Sequence, residues 1–151
     1  MTTEGPVVKR ARTRDCRSLA RNIREEDALE ILLATGASPE QELTRQMSKP
    51  DTVVFSIHHE HRVLGMFGVS RVTRVPINVG APWLLASNEL FDNHWRRFVR
   101  EGKAWMDTLS RGFSLLENYA YSGNQSHVDW LRAVGFELVE LVPYGVAKQP
   151  F

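Results

Sequence analysis

Between Pro50 and Val53 the apolar pattern of this chain changes period, and that change limits what it can fold into. Before it, apolar residues recur every three or four positions. Cys16, Leu19, Ala20 and Ile23 form one helical stripe, with Asp15 or Thr13 placed to cap it. Ala28, Leu29, Leu32 and Leu33 form a second stripe over Glu25 to Thr35, and Gly36 suits its C-terminal end. Ser38-Pro39-Glu40-Gln41 opens a third helix, with serine at the cap, proline in the first turn and glutamine reaching back. After Pro50, Val53, Phe55 and Ile57 alternate with Val54, Ser56 and His58, which is the period of a strand.

His59-Glu60-His61-Arg62 can turn the chain, so Val53 to Val72 reads as a hairpin. Gly65 and Gly68 inside its second strand point to a bulge or a close backbone approach. Pro76 to Pro82 reads as loop and Trp83 to Ala86 as a short buried strand. Asn93 is placed to cap a long helix over 94–110, whose buried stripe runs from Trp95 through Gly102 to Leu109. Gly102 on that stripe costs about 1 kcal/mol relative to alanine, which predicts close packing of the helix on a sheet. Phe113 to Tyr121, Phe136 to Val142 and a last segment ending at Phe151 read as strands, with a short helix carrying Val128, Leu131 and Val134 between the first two. A short strand, Val7 to Ala11, opens the order. Helices between single strands imply parallel crossovers, and the hairpin adds antiparallel pairing. The expected class is α/β, a mixed central sheet with helices on both faces, in one domain over residues 1–151.

Nineteen Lys and Arg nearly balance eighteen Asp and Glu, which argues against a chain whose main work is non-specific nucleic-acid binding. No strong nucleic-acid binding is expected. The charge is uneven, however. Residues 1–24 hold seven Lys or Arg, and residues 25–42 hold six acids and no base. The asymmetry fits a nucleic-acid arm over Lys9 to Arg24 followed by an acidic face, or a pair of solvated helix faces, and the second is the reading taken. A single cysteine, Cys16, excludes an intrachain disulfide and reads as an inert core thiol. No apolar run is long enough to span a membrane, and Met1 to Pro6 carries no apolar signal segment.

Few residues suggest chemistry by themselves. His58 and His61 could ligate a metal with Glu60 as a third ligand, but on a strand His59 and His61 point to one face and His58 to the other, so they read as hairpin polar residues and no metal site is expected. Ser126 beside His127 lacks the geometry of a nucleophile and its base, and His127 reads as partly exposed. Tyr119 and Tyr121 share one strand face, where either can be a phenolic proton donor or half of an aromatic pair. Trp83, Trp95, Trp105 and Trp130 sit on apolar stripes or strands and read as packing. No glycine-rich phosphate loop is present.

The order of elements, with Asn124 opening a helix and Gly135-Phe136 eleven residues later, resembles the GNAT superfamily of acetyl-CoA-dependent N-acyltransferases. Arg24-Glu25-Glu26-Asp27, Met66-Phe67-Gly68-Val69, Pro82-Trp83-Leu84-Leu85 and Glu117-Asn118-Tyr119 make the chain more similar still to the GNAT-like virion and head-assembly proteins of short-tailed phages. The resemblance implies a mostly antiparallel sheet with a parallel middle pair. It implies a coenzyme site at Leu85, Ser87, Asn93, Arg96, Arg97 and Asn124. Candidate catalytic groups are Glu30, Tyr119 and Tyr121. Two departures bear on chemistry: Ser87 to Asn93 has no glycine where the family holds the coenzyme pyrophosphate, and Leu131 stands where the family has its tyrosine acid. Most carboxylates near Glu30 read as helix-surface acids.

These departures lead to the expectation of a phage virion or assembly protein with a degenerate coenzyme site and no cofactor. It would act by protein–protein contact with other phage proteins or with its own copies, in the virion or the host cytoplasm. The alternative is an active acyltransferase that moves an acetyl group from acetyl-CoA to an amine.

Overall fold

Two faces of one sheet divide the apolar residues into two cores. A computed structural model of the chain describes residues 5–50 and 52–151; Met1 to Glu4, where a signal segment would begin, and Asp51 lie outside the described residues. In chain order the elements are β1 (Val7–Arg10), α1 (Thr13–Ala20), α2 (Glu25–Thr35), α3 (Pro39–Ser48), β2 (Val53–His59), β3 (Arg62–Thr73) and β4 (Val79–Ala86). There follow α4 (Asn88–Ser110), β5 (Leu115–Leu116), α5 (Gln125–Ala133), β6 (Pro143–Tyr144) and β7 (Gln149–Pro150). The sheet order is β1-β2-β3-β4-β5, with every neighbour antiparallel except the parallel pair β4 and β5. β6 and β7 form a separate hairpin.

α1 and α3 cover one face, packing Cys16, Leu19 and Leu43 on Val54, Val63 and Met66. α4 and α5 cover the other, packing Phe98, Met106, Leu109, Trp130 and Leu131 on Ile57, Leu64, Phe67 and Leu84. β3 reaches both cores out of strict alternation because Ile57 pairs with Gly65 while His58 pairs with Val63, leaving Leu64 as a bulge. The extra residue moves Val63 to the α1 face and Phe67 to the α4 face. The β2–β3 turn is Glu60-His61, both at positive φ, which matches the twist of the strands it joins. At Gly68 a Cβ would lie 2.4 Å from the Val53 carbonyl oxygen, so the close approach expected there is real.

Several boundaries move. Ser87, not Asn93, caps the long helix, because its side chain accepts the Leu90 N–H, and α4 therefore begins at Asn88. β4 begins at Val79; Pro82 fits inside it because no strand needs its missing N–H there. Neither Asp15 nor Thr13 is the cap of α1. Arg12 holds that position, and its N–H donates to the Asp15 carboxylate at 2.8 Å. Gly102 faces Val134, whose Cγ1 would lie 3.2 Å from an added Cβ, so it brings α4 close to the end of α5 rather than to the sheet. Phe136 to Val142 forms no strand, and the strand expected over Phe113 to Tyr121 shrinks to two paired residues. No helix among the described residues is long and apolar enough to cross a membrane.

Candidate functional site

β4 and β5 stay paired for two positions only, Val79 with Leu115 and Gly80 with Leu116. The Glu117 N–H still reaches the Gly80 carbonyl at 2.9 Å, and then the strands part into a wedge. Strand alternation turns the backbone groups of Gly80, Pro82, Leu84 and Ala86 toward the β5 side. Among the described residues no backbone bond joins Pro82 or Leu84 to residues 118–121. The edge of β4 is therefore unpaired along the wedge, although Pro82 and Leu84 themselves are buried.

α2 closes the mouth. Asp27 and Glu30 lie one helical turn apart and face the same way. The Ala86 N–H, at the end of β4, donates to Asp27 Oδ2 at 2.9 Å, and the Tyr121 N–H, on the other arm, donates to Glu30 Oε1 at 3.2 Å. Asn124, at the start of α5, donates its amide to Asp27 Oδ1 and Glu30 Oε2, each at 2.7 Å. His127 Nδ1 lies 2.9 Å from both Glu30 oxygens. The Arg24 guanidinium bonds Asp27 Oδ1 at 3.1 Å and sits over the Phe91 ring, while the Arg24 N–H caps the Ala86 carbonyl.

All five side chains are buried, Asn124 completely. Buried charges persist only when paired and hydrogen-bonded, and here Arg24 and an imidazolium at His127 match two carboxylates. Burial pushes the Asp27 carboxyl above its ordinary value, against the Asn124 bond and the Arg24 charge. Burial alone would pull the His127 imidazolium down, but the Glu30 charge and hydrogen bond outweigh it, with Asp27 adding to them, and the ring titrates above its ordinary value. Among the described residues His127 Nε2 and Asn124 Oδ1 have no partner, which leaves one donor and one acceptor inside the network.

The structure thus brings together Glu30, Asn124 and the backbone of Tyr121. Asp27 and Glu30 are not helix-surface acids, and His127 is not partly exposed. The Tyr121 ring packs on Phe151, and Tyr119, about half-exposed, stacks on Tyr144 at 4.4 Å. Leu85 pairs with Met66 and packs in the α1 core. Ser87 is spent on its cap and on the Leu64 carbonyl. Asn93 and Arg96 are exposed in the middle of α4, and Arg97 pairs with Glu101 at 3.0 Å. With α4 starting at Asn88, the two arginines lie about 12 Å along the helix from its first residue, beyond the reach of its terminal dipole.

Of the three clustered histidines, His59 packs against His94 at 4.9 Å, His58 lies 3.7 Å from Asp15, and His61 is exposed. Among the described residues no group of three His, Cys, Asp or Glu side chains is placed to hold a metal ion. A cleft of about 550 Å³ lies on the far side of the β5 segment, lined in part by Leu116, Val128, Leu131, Phe136 and Leu141.

Sequence reasoning missed Arg24, Asp27 and His127. A signal for His127 was present: Trp130, Leu131 and Val134 follow at three, four and seven positions, which puts the ring on the buried stripe.

The fold is that of the GNAT N-acetyltransferases. A GNAT-family acetyltransferase from Bacillus anthracis superposes with a TM-score of 0.66 over 99% of this chain and 92% of its own, at 10% identity. A GCN5-related N-acetyltransferase from Kribbella flavida gives 0.66 over 92% and 86% at 17% identity. The ribosomal-protein-S5-alanine acetyltransferase from Vibrio fischeri gives 0.65 over 99% and 90% at 16% identity. No protein-family model matches the chain, and no curated protein sequence matches it. These neighbours correct the expectation of a phage virion or head-assembly protein, since the likeness runs to acetyltransferases.

Proposed function

We propose that this chain is an acetyl-CoA-dependent N-acyltransferase that moves an acetyl group to an amine. The observation that supports the reading is the wedge itself: a β4 edge left unpaired at Pro82 and Leu84, whose mouth is held by Asp27 and Glu30. The C=O groups of Leu84 and Pro82 suit the amide N–H groups of a pantetheine arm laid along that edge. The phosphate end fits less closely. Ser87 takes up the Leu90 N–H, so Asn88 and Glu89 supply the free N–H groups at the start of α4, and the Glu89 carboxylate, bonded to Arg62, stands in the same turn. When bound, the coenzyme supplies an activated acyl thioester.

The chain's own residues position the acceptor and move a proton. An amine attacks only after losing its ammonium proton. Glu30 is the acceptor for that proton, and the His127 ring fixes the carboxylate through both oxygens. Asn124 keeps Asp27 and Glu30 in register across the mouth. The Leu84 N–H, on the unpaired edge, is the donor to a developing oxyanion in this reading. Leu131 donates no proton, so protonation of the leaving thiolate falls to water or to the acceptor's own proton returned by Glu30.

The test is calorimetric titration with acetyl-CoA against free CoA, followed by a thiol-release assay over a panel of amines. Saturable low-micromolar binding and amine-dependent thiol release are expected. No binding at millimolar acetyl-CoA would overturn the reading.

A further inference from the structure

The cations from Lys9 to Arg21 have no place in the reaction above, yet the fold arranges them. α1 buries Asp15, Cys16 and Leu19. On a 100° helical wheel Arg14, Arg17 and Arg21 fall within one narrow arc directly opposite that buried side. All three are exposed, as are Lys9, Arg10 and Arg12 leading into the helix. Among the described residues Glu40 is the acid paired with the stripe, through Arg17 at 3.4 Å in the open. Asp15 is turned inward to Ser56 and to the Arg12 N–H. The chain's near-neutral net charge therefore hides a segregated surface: one helix face collects arginines while most carboxylates lie on other elements.

We infer that this α1 face binds the phosphate backbone of a nucleic acid, weakly and without sequence preference. Five of the six exposed cations are arginine, whose planar fork matches phosphate in a way that lysine does not. The arginine rows advance about 5 and 6 Å along the helix axis, so the charges form a rigid line rather than a cloud. α1 exposes no large apolar side chain among them. A stable protein interface would need an apolar centre, and stable membrane anchoring would need an apolar signal beside the basic one. A phosphate backbone needs neither. The absence of exposed aromatic rings on α1 removes base stacking, which leaves phosphate contact as the mode of binding.

The experiment is fluorescence anisotropy of the full chain with labelled single-stranded and duplex oligonucleotides from 25 to 200 mM salt (about an eightfold range). Poly-glutamate peptide and anionic phosphatidylserine vesicles run as competitors. The expected result is binding whose logarithm falls with log salt at a slope near −3, as for about four neutralised phosphates. The variant Arg14→Gln/Arg17→Gln/Arg21→Gln is expected to weaken it at least tenfold while melting at the parent temperature. Its acetyl-CoA binding should be unchanged, because none of the three residues lines the wedge, so this test is separate from that of the acyltransferase. Binding that is absent, or that the triple variant retains, overturns the inference. So does competition by poly-glutamate or vesicles at least as strong as that by unlabelled oligonucleotide, which would assign the stripe to an acidic protein or a membrane.

Discussion

His127 Nδ1 lies 2.9 Å from both carboxylate oxygens of Glu30, although the two residues are 97 positions apart. One comes from the helix that closes the wedge and the other from the helix that follows it. The pair therefore joins the acceptor-side helix to the second arm of the split sheet. Glu30 also receives the Tyr121 N–H and the Asn124 amide, so its orientation is set from three directions.

Glu30→Gln keeps the shape and removes the charge. A group that takes a proton in the transition state contributes about 10²- to 10⁴-fold, and kcat should fall by that range with acetyl-CoA binding retained. The thiol-release assay reads kcat, and calorimetry reads binding. A variant with near-parental kcat would remove Glu30 from the chemistry.

The same pair predicts how stability depends on pH. The folded-state value of His127 lies above its unfolded value near 6.5. Its stabilisation is therefore complete below about pH 6.5 and is lost as pH rises through the folded value. Asp27, also raised, has the same sign: the folded state holds its proton more tightly, so stability declines as pH rises from about 3.8 through its folded value. Urea unfolding between pH 6 and pH 9 should show stability declining with pH, and His127→Gln should flatten that decline. A rise with pH, or a slope unchanged in the variant, would contradict the protonated ring.

Asn124 can be tested independently of catalysis. Its amide bridges two buried carboxylates at 2.7 Å each. Asn124→Leu conserves volume but leaves both oxygens without that donor, which should cost about 3 kcal/mol. For a chain of this size that is a melting temperature lower by about 6–12 °C. Asn124→Asp should be worse at pH 8 than at pH 5, because it adds a third carboxylate to the same cavity. Thermal melts of the two variants at both pH values check the ordering.

Much of the architecture could be read from residue order, and the reasons are local. The hairpin around Glu60-His61 and the third helix from Ser38 rest on periodicity and caps within a few residues. What could not be read depends on distant partners. Asp27 and Glu30 have the composition of surface acids; only the arrival of Asn124, His127 and the Ala86 and Tyr121 N–H groups makes their burial tolerable. Phe136 to Val142 has strand composition but gains no neighbouring strand, so Leu138, Val139 and Leu141 remain exposed. The start of α4 was misplaced because both Ser87 and Asn93 can cap, and the choice was made by the Leu64 carbonyl, which receives the Ser87 N–H and hydroxyl.

The close approach of β2, β3 and β4 at Gly68 offers a test of the sheet that carries the wedge. An added Cβ would sit 2.4 Å from the Val53 carbonyl oxygen and 3.3 Å from the Trp83 ring. The first neighbour is backbone and cannot swing aside, so Gly68→Ala must push β2 from β3 or distort the ladder. Overpacking of this kind costs about 1–3 kcal/mol. Gly112→Ala is the matched control: its Cβ meets nothing within 4 Å, and only its positive φ of 88° opposes the change. Urea unfolding should place Gly68→Ala clearly below the parent, with weakened acetyl-CoA binding because β4 moves with β3. Gly112→Ala should lose about 1 kcal/mol and bind as the parent does. Equal binding by both variants would uncouple the strand spacing at Gly68 from the unpaired edge at Pro82 and Leu84.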